Sequence, residues 1–308
     1  MQKNIVPAHQ ALPDNRRYYQ IGGMTICIEA DLAITDGTFH PKFNFFSAAG
    51  PGDDTIHIRH HFFLPALEAG KMGVKVYRHP PWVIYRNKGS WTYLVVAGGN
   101  HSRRIHQAAV FTPDHAGADI YHHHEIQNIF KKGGIASLSL LPTDQIILAR
   151  ILADRQGCIL HSGGVILENQ GLLFVGHSDA GKSTLVTLLK EATEILCDDR
   201  IILRHHTGGC RIYGTWSHGD VPLVSPNSAP LKAILFLKQA RSNQALRLFD
   251  RREIIRRLLA CLVKPLATAD WWHSMLTLVP LIAAATPCYI LEFDRSGRVL
   301  DLLKDILE

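Results

Sequence analysis

A nine-residue segment, Gly176 to Thr184, constrains this chain more than any other part of its sequence. It reads Gly-His-Ser-Asp-Ala-Gly-Lys-Ser-Thr and matches the pattern G-x-x-x-x-G-K-[ST]. The apolar run 172–175 predicts a strand entering the segment, and residues 181–190 predict a helix leaving it. Glycines let successive backbone N–H groups curl around phosphate oxygens, and the helix N-terminus adds its positive dipole end. The sequence therefore predicts a nucleoside triphosphate site.

The side chains of this loop have distinct expected roles. Lys182 is expected to neutralise the β- and γ-phosphates, and the Ser183 hydroxyl to ligate Mg²⁺. ATP and Mg²⁺ are therefore the predicted cofactors. The candidate nucleotide-binding residues are Gly176, Ser178, Ala180, Gly181, Lys182, Ser183 and Thr184.

A pair of carboxylates, Asp198 and Asp199, follows the next apolar run, 195–197. The pair lies 16 and 17 residues after Lys182, an interval that one helix and one strand can fill. One carboxylate is expected to hold Mg²⁺ and the other to accept a proton from an attacking hydroxyl. The sequence leaves open which does which, and an Asp-Asp turn on the surface is the alternative interpretation.

The order of these motifs resembles the catalytic core of HPr kinase/phosphorylase, which is shared with the ATP-dependent PEP carboxykinases. The resemblance covers roughly residues 142–293. It rests on His161-Ser162-Gly163-Gly164, a hairpin through Gly171, the loop 176–183 and the Asp198-Asp199 pair. Two later segments resemble HPr-kinase-like serine kinases, including tailoring kinases of lasso-peptide clusters; they are Tyr213-Gly214-Thr215-Trp216 and Ala229-Pro230-Leu231.

The resemblance implies a kinase that phosphorylates a hydroxyl of a peptide, a protein or a small molecule. It implies that Asp198 and Asp199 divide the roles of general base and Mg²⁺ ligand. His161 would support the charge of these carboxylates, with a packed strand histidine as the alternative. Asp220 is the candidate for a further acidic residue facing the metal, with an ordinary loop carboxylate as the alternative.

Two departures from the family pattern bear on function. Asp179 stands where the family loop usually has glycine, and a carboxylate in the phosphate cradle should repel a polyanion unless it turns outward. The longer C-terminal signature of true HPr kinases is absent from the sequence, so HPr itself is not the expected acceptor. The alternative function is a non-catalytic, nucleotide-gated binding or regulatory module. PEP-carboxykinase, nucleoside-monophosphate-kinase and ABC-type chemistry fit the motifs less well.

The predicted fold is α/β (α+β), with a β-rich N-terminal domain, 1–140, and a P-loop kinase-like core, 141–308. Strands are predicted at 74–77, 82–85, 91–97, 105–111 and 118–121, with turns at 87–89 and 98–100. In the second half, Thr143 is predicted to cap a helix that Gly157 ends, and Asp250 to open another through a capping box. Further strands are predicted at 158–161, 165–167, 172–175, 195–197, 201–204, 211–213, 233–237 and 288–293.

The composition indicates more about the expected compartment and binding partners of the protein than about its reaction. The 308 residues are 46% hydrophobic and carry a net charge of +6, with basic residues scattered along the chain. A nucleotide partner suits this charge, whereas nucleic-acid binding is not expected. The six cysteines form no C-x-x-C pair, and the sequence shows no leader peptide and no apolar run of spanning length. A cytoplasmic protein without membrane contact is expected, and a homo-oligomer is an open expectation.

Eight of the eighteen histidines form clusters at 57–61, 122–124 and 205–206. The run His122-His123-His124-Glu125 offers metal-ligand types, but no partner spacing completes a zinc motif. We therefore expect surface histidines, solvated or hydrogen-bonded. The pair Trp271-Trp272 is expected to pack in the core or at an interface.

Overall fold

The computed structural model describes residues 15–97 and 104–308, so the predicted turn at 98–100 lies outside the described residues. The strands are β1 (Arg16–Ile21), β2 (Met24–Ala30), β3 (Ser47–Ala48), β4 (Thr55–His61), β5 (Val74–His79), β6 (Trp82–Arg86), β7 (Trp91–Ala97), β8 (Arg104–Phe111), β9 (Gly117–His122), β10 (Gly157–Leu167), β11 (Gln170–Val175), β12 (Glu194–Cys197), β13 (Arg200–His206), β14 (Gly209–Tyr213), β15 (Ser228–Gln239), β16 (Gln244–Arg247) and β17 (Cys288–Phe293). The α-helices are α1 (Ile126–Lys132), α2 (Gln145–Ala153), α3 (Lys182–Leu189), α4 (Arg251–Ala260), α5 (Ala269–Ala285) and α6 (Val299–Leu307).

The first half of the chain forms a mixed nine-stranded sheet in the order β3-β1-β2-β4-β9-β8-β7-β6-β5. The pairs β2–β4 and β4–β9 are parallel, and the other pairs are antiparallel. Alternate side chains of these strands are apolar and buried, as in Ile26, Ile28, Ile56 and Ile58. Because side chains alternate across a strand, this pattern gives the sheet one apolar face.

The second half of the chain forms an eight-stranded sheet. Two long strands, β10 and β15, each pair with one neighbour near their start and with other neighbours further along. β10 pairs first with β13 and then with β11 and β12, whereas β15 pairs first with β14 and then with β11 and β17. The neighbours β11, β15 and β17 run parallel. Their carboxyl ends therefore meet at one edge of the sheet, where open α/β sheets place ligands.

The core of the first sheet continues past residue 140. The apolar face of α2, including Ile147, Leu148, Ile151 and Leu152, is at most 5% exposed and packs into that core. Residues from the second sheet join the same cluster, among them Ile159, Ile202 and Tyr213, as does Trp216 in the loop after β14. Two further clusters lie on opposite faces of the second sheet, one beneath α4 and α5 and one beneath α3 and α6. The division at residue 140 stays a prediction.

Most of the predicted strands are present, but the predicted break within β10 and the predicted end of α2 are wrong. Segments 158–161 and 165–167 belong to one continuous strand because Gly163 and Gly164 stay extended within it. Gly157 begins β10 and does not cap α2, which ends at a cap on Asp154. Asp144 is the N-cap of α2, although the Thr143 hydroxyl accepts a hydrogen bond from the N–H of Gln145.

The cap predicted at Asp250 is confirmed in part. Its carboxylate accepts hydrogen bonds from the N–H groups of Arg252 and Glu253 and so satisfies two free donors of α4. The Glu253 carboxylate binds Arg256 and Arg257 instead of returning to the Asp250 N–H. The reciprocal half of the capping box is therefore absent at this helix.

Two histidines that were expected at the surface are buried beneath the first sheet. His60 and His122 are 0% and 1% exposed, and His60 Nδ1 lies 3.0 Å from His122 Nε2. His60 Nε2 donates to the Leu138 carbonyl, so its Nδ1 accepts from His122, whose own Nδ1 accepts from Gln107 Nε2. Burial lowers the pKa of His60 to about 4 and that of His122 to about 2. The expectation of surface histidines is wrong for this pair because each ring finds a complete set of internal partners.

The tryptophan pair packs as predicted. Trp271 is 3% exposed, and its Nε1 donates to the Ala149 carbonyl, which joins α5 to α2.

All six cysteines are buried free thiols. None of the helices within the described ranges is long and apolar enough to cross a membrane.

Candidate active site

The phosphate-loop segment connects β11 to α3, as its sequence predicts. Gly181 caps α3 with φ 97°, and its carbonyl accepts from the Leu185 N–H at 2.9 Å. A Cβ on Gly181 would lie 2.8 Å from the Phe293 ring, and one on Gly176 would lie 2.5 Å from the Ala180 methyl. Both glycines are therefore required by contact, and Gly181 is required by backbone angle as well.

Lys182 begins α3 and is 7% exposed. Its Nζ donates to the carbonyls of Gly176 and His177, both at 2.9 Å. Burial lowers the pKa of this lysine, and the nearby Asp199 carboxylate opposes that shift. The ammonium group therefore lies against the loop backbone, where phosphate oxygens could replace the two carbonyls as its acceptors.

Asp198 is the most constrained carboxylate of the site, with 1% of its surface exposed. Its Oδ2 accepts from the Ser183 hydroxyl at 2.9 Å and from the Val221 N–H at 3.0 Å. Its Oδ1 accepts from the Gly219 N–H at 2.7 Å. Three donors thus fix the carboxylate beside the hydroxyl that the loop motif assigns to Mg²⁺.

Asp199 faces a different set of groups. Its Oδ1 lies 2.5 Å from Arg200 Nη1 and 3.1 Å from His161 Nε2. Within residues 15–97 and 104–308, its Oδ2 has no hydrogen-bond partner, and a quarter of its side chain is exposed. This oxygen is therefore available to a group that enters the site.

His161 lies in the middle of β10, opposite Arg200 on β13. Its backbone N–H donates to the Cys261 carbonyl at 2.8 Å, which ties the strand to the end of α4. Burial lowers the pKa of His161, and the positive charges of Lys182 and Arg200 lower it further. A neutral imidazole beside the Asp199 carboxylate is the state that this arrangement favours near neutral pH.

Three residues singled out in the sequence lie at the periphery of the site. Asp220 is exposed in the loop whose flanking residues, Gly219 and Val221, donate their N–H groups to Asp198. Ser178 is exposed at the tip of the phosphate loop, and Thr184 is half-buried in the first turn of α3. The structure brings Lys182, Ser183, Asp198, Asp199 and His161 together.

Asp179 occupies a left-handed backbone position, with φ 65°. Its side chain is exposed, and its carbonyl accepts from Gln239 Nε2 at 2.7 Å. This backbone region is the one that glycine adopts freely and that aspartate tolerates better than most residues. The replacement of glycine by aspartate therefore keeps the loop shape and directs the carboxylate towards solvent.

Sequence reasoning missed Arg200 and the backbone donors Gly219 and Val221, which flank the predicted candidate Asp220. Arg200 Nη1 donates to the backbone and side-chain oxygens of Asp199, and the Thr215 hydroxyl donates to the Arg200 carbonyl. A Cβ on Gly219 would lie 3.1 Å from Asp198 Oδ2. The available signals were an arginine directly after the carboxylate pair and a glycine beside Asp220, and both are weak without a structure.

The donor chemistry at the mouth of the loop fits a magnesium ion. Ser183 Oγ and Asp198 Oδ2 lie 2.9 Å apart, and Asp199 follows directly in the chain. Hydroxyl and carboxylate oxygens are the ligands that Mg²⁺ takes, together with phosphate oxygens and water. A cavity of about 240 Å³ lies at the start of α3, between Gly181, Thr184, Gln239 and Phe293, and neither Ser183 nor Asp198 lines it.

Comparison with known proteins adds little to this description. No protein-family model matches the chain, and no curated protein sequence matches it. Among solved structures, the Hpr(Ser) kinase/phosphatase from Coxiella burnetii aligns with a TM-score of 0.31 and 10% sequence identity. That alignment covers 48% of this chain and 87% of the Coxiella chain.

Proposed function

We propose that this protein is an ATP- and Mg²⁺-dependent phosphotransferase that acts on a hydroxyl group of a peptide, a protein or a small molecule. One observation carries the proposal: Lys182, Ser183, Asp198 and Asp199 converge where the phosphate loop leaves a parallel strand. Phosphoryl transfer requires mainly a positioned phosphate chain, positive charge and an acceptor-side base. Each requirement has a residue of the right chemistry in this cluster.

The phosphate side of the site is built from the loop and from Asp198. Backbone N–H groups of the loop and the N-terminus of α3 favour anionic oxygens, and Lys182 contributes a formal positive charge. Ser183 and Asp198 would hold Mg²⁺, which when bound neutralises charge on the phosphates. The amides of Gly219 and Val221 keep Asp198 oriented towards Ser183. This division assigns Asp198 to the metal.

The acceptor side is built around Asp199. Its Oδ2 would accept the proton of an acceptor hydroxyl while the hydroxyl oxygen forms a bond to the γ-phosphorus. The bond from that phosphorus to the β–γ bridging oxygen breaks, and ADP leaves with the electron pair. Arg200 and His161 hold the other oxygen of Asp199, so the carboxylate cannot rotate freely away from the acceptor.

The nucleoside would extend from the phosphate loop into the cavity next to Thr184. This cavity lies at the carboxyl ends of β15 and β17, which supply Gln239 and Phe293. Its volume of about 240 Å³ is below the roughly 300–1,000 Å³ of most small-molecule pockets, so a nucleoside bound there would lie partly in solvent. In this proposal the nucleotide lies on the Thr184 side of Lys182 and the acceptor on the Asp199 side.

A second candidate function, the nucleotide-gated binding module, is favoured by the continuous core. Apolar residues of α2 and β10 pack in the same cluster as the first sheet. A nucleotide bound at the loop could therefore change the packing of the first sheet without any phosphoryl transfer. This function predicts saturable ATP binding and no acceptor-dependent release of ADP.

The deciding experiment follows γ-labelled phosphate from Mg-ATP into a size-fractionated extract of the source cells. Lys182→Ala is the test variant, and Lys190→Ala, at the exposed end of the same helix, is its matched control. Label that Lys190→Ala retains and Lys182→Ala loses supports the kinase, and the labelled fraction identifies the acceptor class. Intact ATP binding without Lys182-dependent label would overturn the kinase and favour the gated module.

A further inference from the structure

Strand β16 forms one edge of the second sheet. It pairs antiparallel with β17, and within the described parts of the chain it has no second strand partner. The strand contains neither proline nor an inward-pointing charge, two devices that commonly protect an edge. An open edge of this kind can accept a further strand.

The register identifies which backbone groups face outward. The Leu248 N–H donates to the Cys288 carbonyl at 2.8 Å, which makes these two residues a hydrogen-bonded pair. Hydrogen-bonded pairs alternate along an antiparallel ladder, so Leu246 and Gln244 also bond to β17. The N–H and C=O groups of Ala245 and Arg247 therefore point to the open side.

Exposed apolar surface continues from this edge. The Phe249 side chain is 81% exposed, the largest fraction among the large apolar side chains of the described residues, and Leu246 is 48% exposed. A groove of about 410 Å³ runs beside them, between Leu248, Ile254 and the segment 283–288 at the end of α5. Apolar surface of this kind, next to unpaired backbone groups, is typical of an interaction site.

The charge around the groove is positive. Arg247 and Arg251 line it, and the exposed Arg252 follows on the same helical turn. The nearby carboxylates are already engaged, because Asp250 caps α4 and Glu253 binds two other arginines of the helix. Among the residues that the structure describes, two guanidinium groups line the groove and that of Arg252 follows next to them, so their charge exceeds that of the neighbouring Asp250 carboxylate.

We propose that this edge, formed by β16, Phe249, Arg251 and Arg252, binds an acidic peptide that adds to the sheet as an extended strand. Backbone pairing at Ala245 and Arg247 would supply affinity, and alternate acidic and apolar side chains would meet the arginines and Phe249. A second copy of this chain fits poorly because it would bring the same arginines against one another. Nucleic acid is disfavoured because its phosphates would use the arginines but would leave the open backbone edge and the apolar surface of the groove without partners.

The site is distant from the phosphate loop. Both sites adjoin β17, but at opposite ends of the strand. The groove adjoins Cys288 at the start of β17, whereas Phe293 at the end of β17 contacts Gly181 of the phosphate loop. The five residue steps of extended strand between Cys288 and Phe293 separate them by about 17 Å. Peptide binding can therefore be measured without nucleotide, and its result does not depend on the proposed kinase activity.

The test measures fluorescence anisotropy with a labelled ten-residue peptide in which Glu and Asp alternate with Val and Phe. Its control peptide carries Gln and Asn in place of the acids. Three variants are compared, namely Ala245→Pro, Phe249→Ala and the pair Arg247→Gln with Arg252→Gln. Ala245→Pro removes an outward N–H and spares the ladder to β17. Arg78→Gln, at an exposed position on β5, is the matched control for charge.

We expect the acidic peptide to bind and the control peptide to bind at least about tenfold more weakly. Each test variant should weaken binding of the acidic peptide by about tenfold or more, whereas Arg78→Gln should leave it unchanged. Phe249→Ala alters an exposed side chain, so it tests the site even if Ala245→Pro disturbs folding.

Equal binding of both peptides, no binding, or wild-type affinity in the variants overturns the proposal. Tighter binding of a thymidine 20-mer, or a dimer that Ala245→Pro abolishes, overturns it in favour of nucleic acid or a second copy.

Discussion

The Ser183 hydroxyl donates a 2.9 Å hydrogen bond to Asp198, whereas the adjacent Asp199 turns towards His161 and Arg200. Both residues lie in the bend between β12 and β13, so the two neighbouring side chains reach different groups. Asp198 is enclosed by three donors, and Asp199 keeps an oxygen open. Under the proposed function, this separation gives the two carboxylates different roles that substitution can distinguish.

Replacing each carboxylate by its amide should give two different defects. Asp198→Asn should weaken Mg²⁺-dependent ATP binding at least about tenfold, because the amide cannot supply an anionic oxygen beside Ser183. Asp199→Asn should leave ATP binding within about twofold of wild type and lower transfer by about 10² to 10⁴. Calorimetry of Mg-ATP binding and single-turnover transfer measure the two quantities.

Asp220→Asn is the control for this pair, since that carboxylate is exposed at the rim of the site. It should change neither quantity more than about threefold, an effect expected of an exposed charge. Equal loss of ATP binding in Asp198→Asn and Asp199→Asn would contradict the assignment. Transfer that survives in Asp199→Asn would exclude this residue as the base.

Substitutions of Asp179 should separate its backbone role from its charge. Asp179→Asn tolerates the left-handed φ of 65° and removes the carboxylate from the loop. It should strengthen ATP binding by about threefold at low salt, since one negative charge near the phosphates is lost. Asp179→Val should lower the free energy of unfolding by about 1–2 kcal/mol, because a β-branched residue resists this backbone angle.

Thermal unfolding and ATP titrations at two salt concentrations measure these effects. Asp179→Gly serves as the reference because glycine adopts the same backbone angle without strain. If Asp179→Asn binds ATP more weakly than wild type, the carboxylate contributes to the site and our interpretation of an outward-facing group is wrong.

The parts of the site that the sequence predicts correctly are those fixed by short-range pattern. The loop 176–183, the helix after it and the strand before the carboxylate pair each depend on a few consecutive residues. Backbone geometry then follows almost directly, as the φ values of Asp179 and Gly181 illustrate. Motif spacing also places Asp198 near Ser183, because one helix and one strand return the chain to the same sheet edge.

The features that the sequence misses depend on contacts between distant segments. Gly163 and Gly164 look like a break, but β11, β12 and β13 pair along β10 and keep it extended. His60 and His122 look like surface residues because nothing local shows that each completes the hydrogen bonds of the other. The open edge of β16 cannot be predicted either, since edge position is a property of the whole sheet.

The buried pair of His60 and His122 should make stability depend on pH. Burial holds the pKa of His60 at about 4 and that of His122 at about 2, both below the ordinary value of 6.5. The unfolded chain therefore binds protons below pH 6.5 that the folded chain does not take up. Their contribution to stability is complete above pH 6.5 and is lost as the pH falls towards 4, at about 1.4 kcal/mol per pH unit for each histidine.

Urea unfolding between pH 7 and pH 4 measures this slope. In His60→Phe with His122→Phe, both titrating groups are absent, so the loss of stability per pH unit should be smaller than in wild type. A uniform decrease in stability from imperfect packing does not affect the slope. His218→Gln, at an exposed loop position, should keep the wild-type slope. A double variant with an unchanged slope would show that the histidine pair does not cause the pH dependence.

Gly181 should be intolerant of a side chain for two separable reasons. Its φ of 97° strains any other residue, and a Cβ would lie 2.8 Å from the Phe293 ring. Gly181→Ala should lower the free energy of unfolding by about 2–3 kcal/mol and weaken ATP binding at least about tenfold.

Gly297→Ala is the matched control, because that glycine has φ 80° and no atom of the described residues lies within 4 Å of the point that its Cβ would occupy. Backbone strain alone should therefore cost about 1 kcal/mol at Gly297. Adding Phe293→Leu to Gly181→Ala should recover part of the ATP affinity by making room for the methyl group. If Gly181→Ala and Gly297→Ala destabilise equally, the contact with Phe293 has no effect and backbone angle alone explains the glycine.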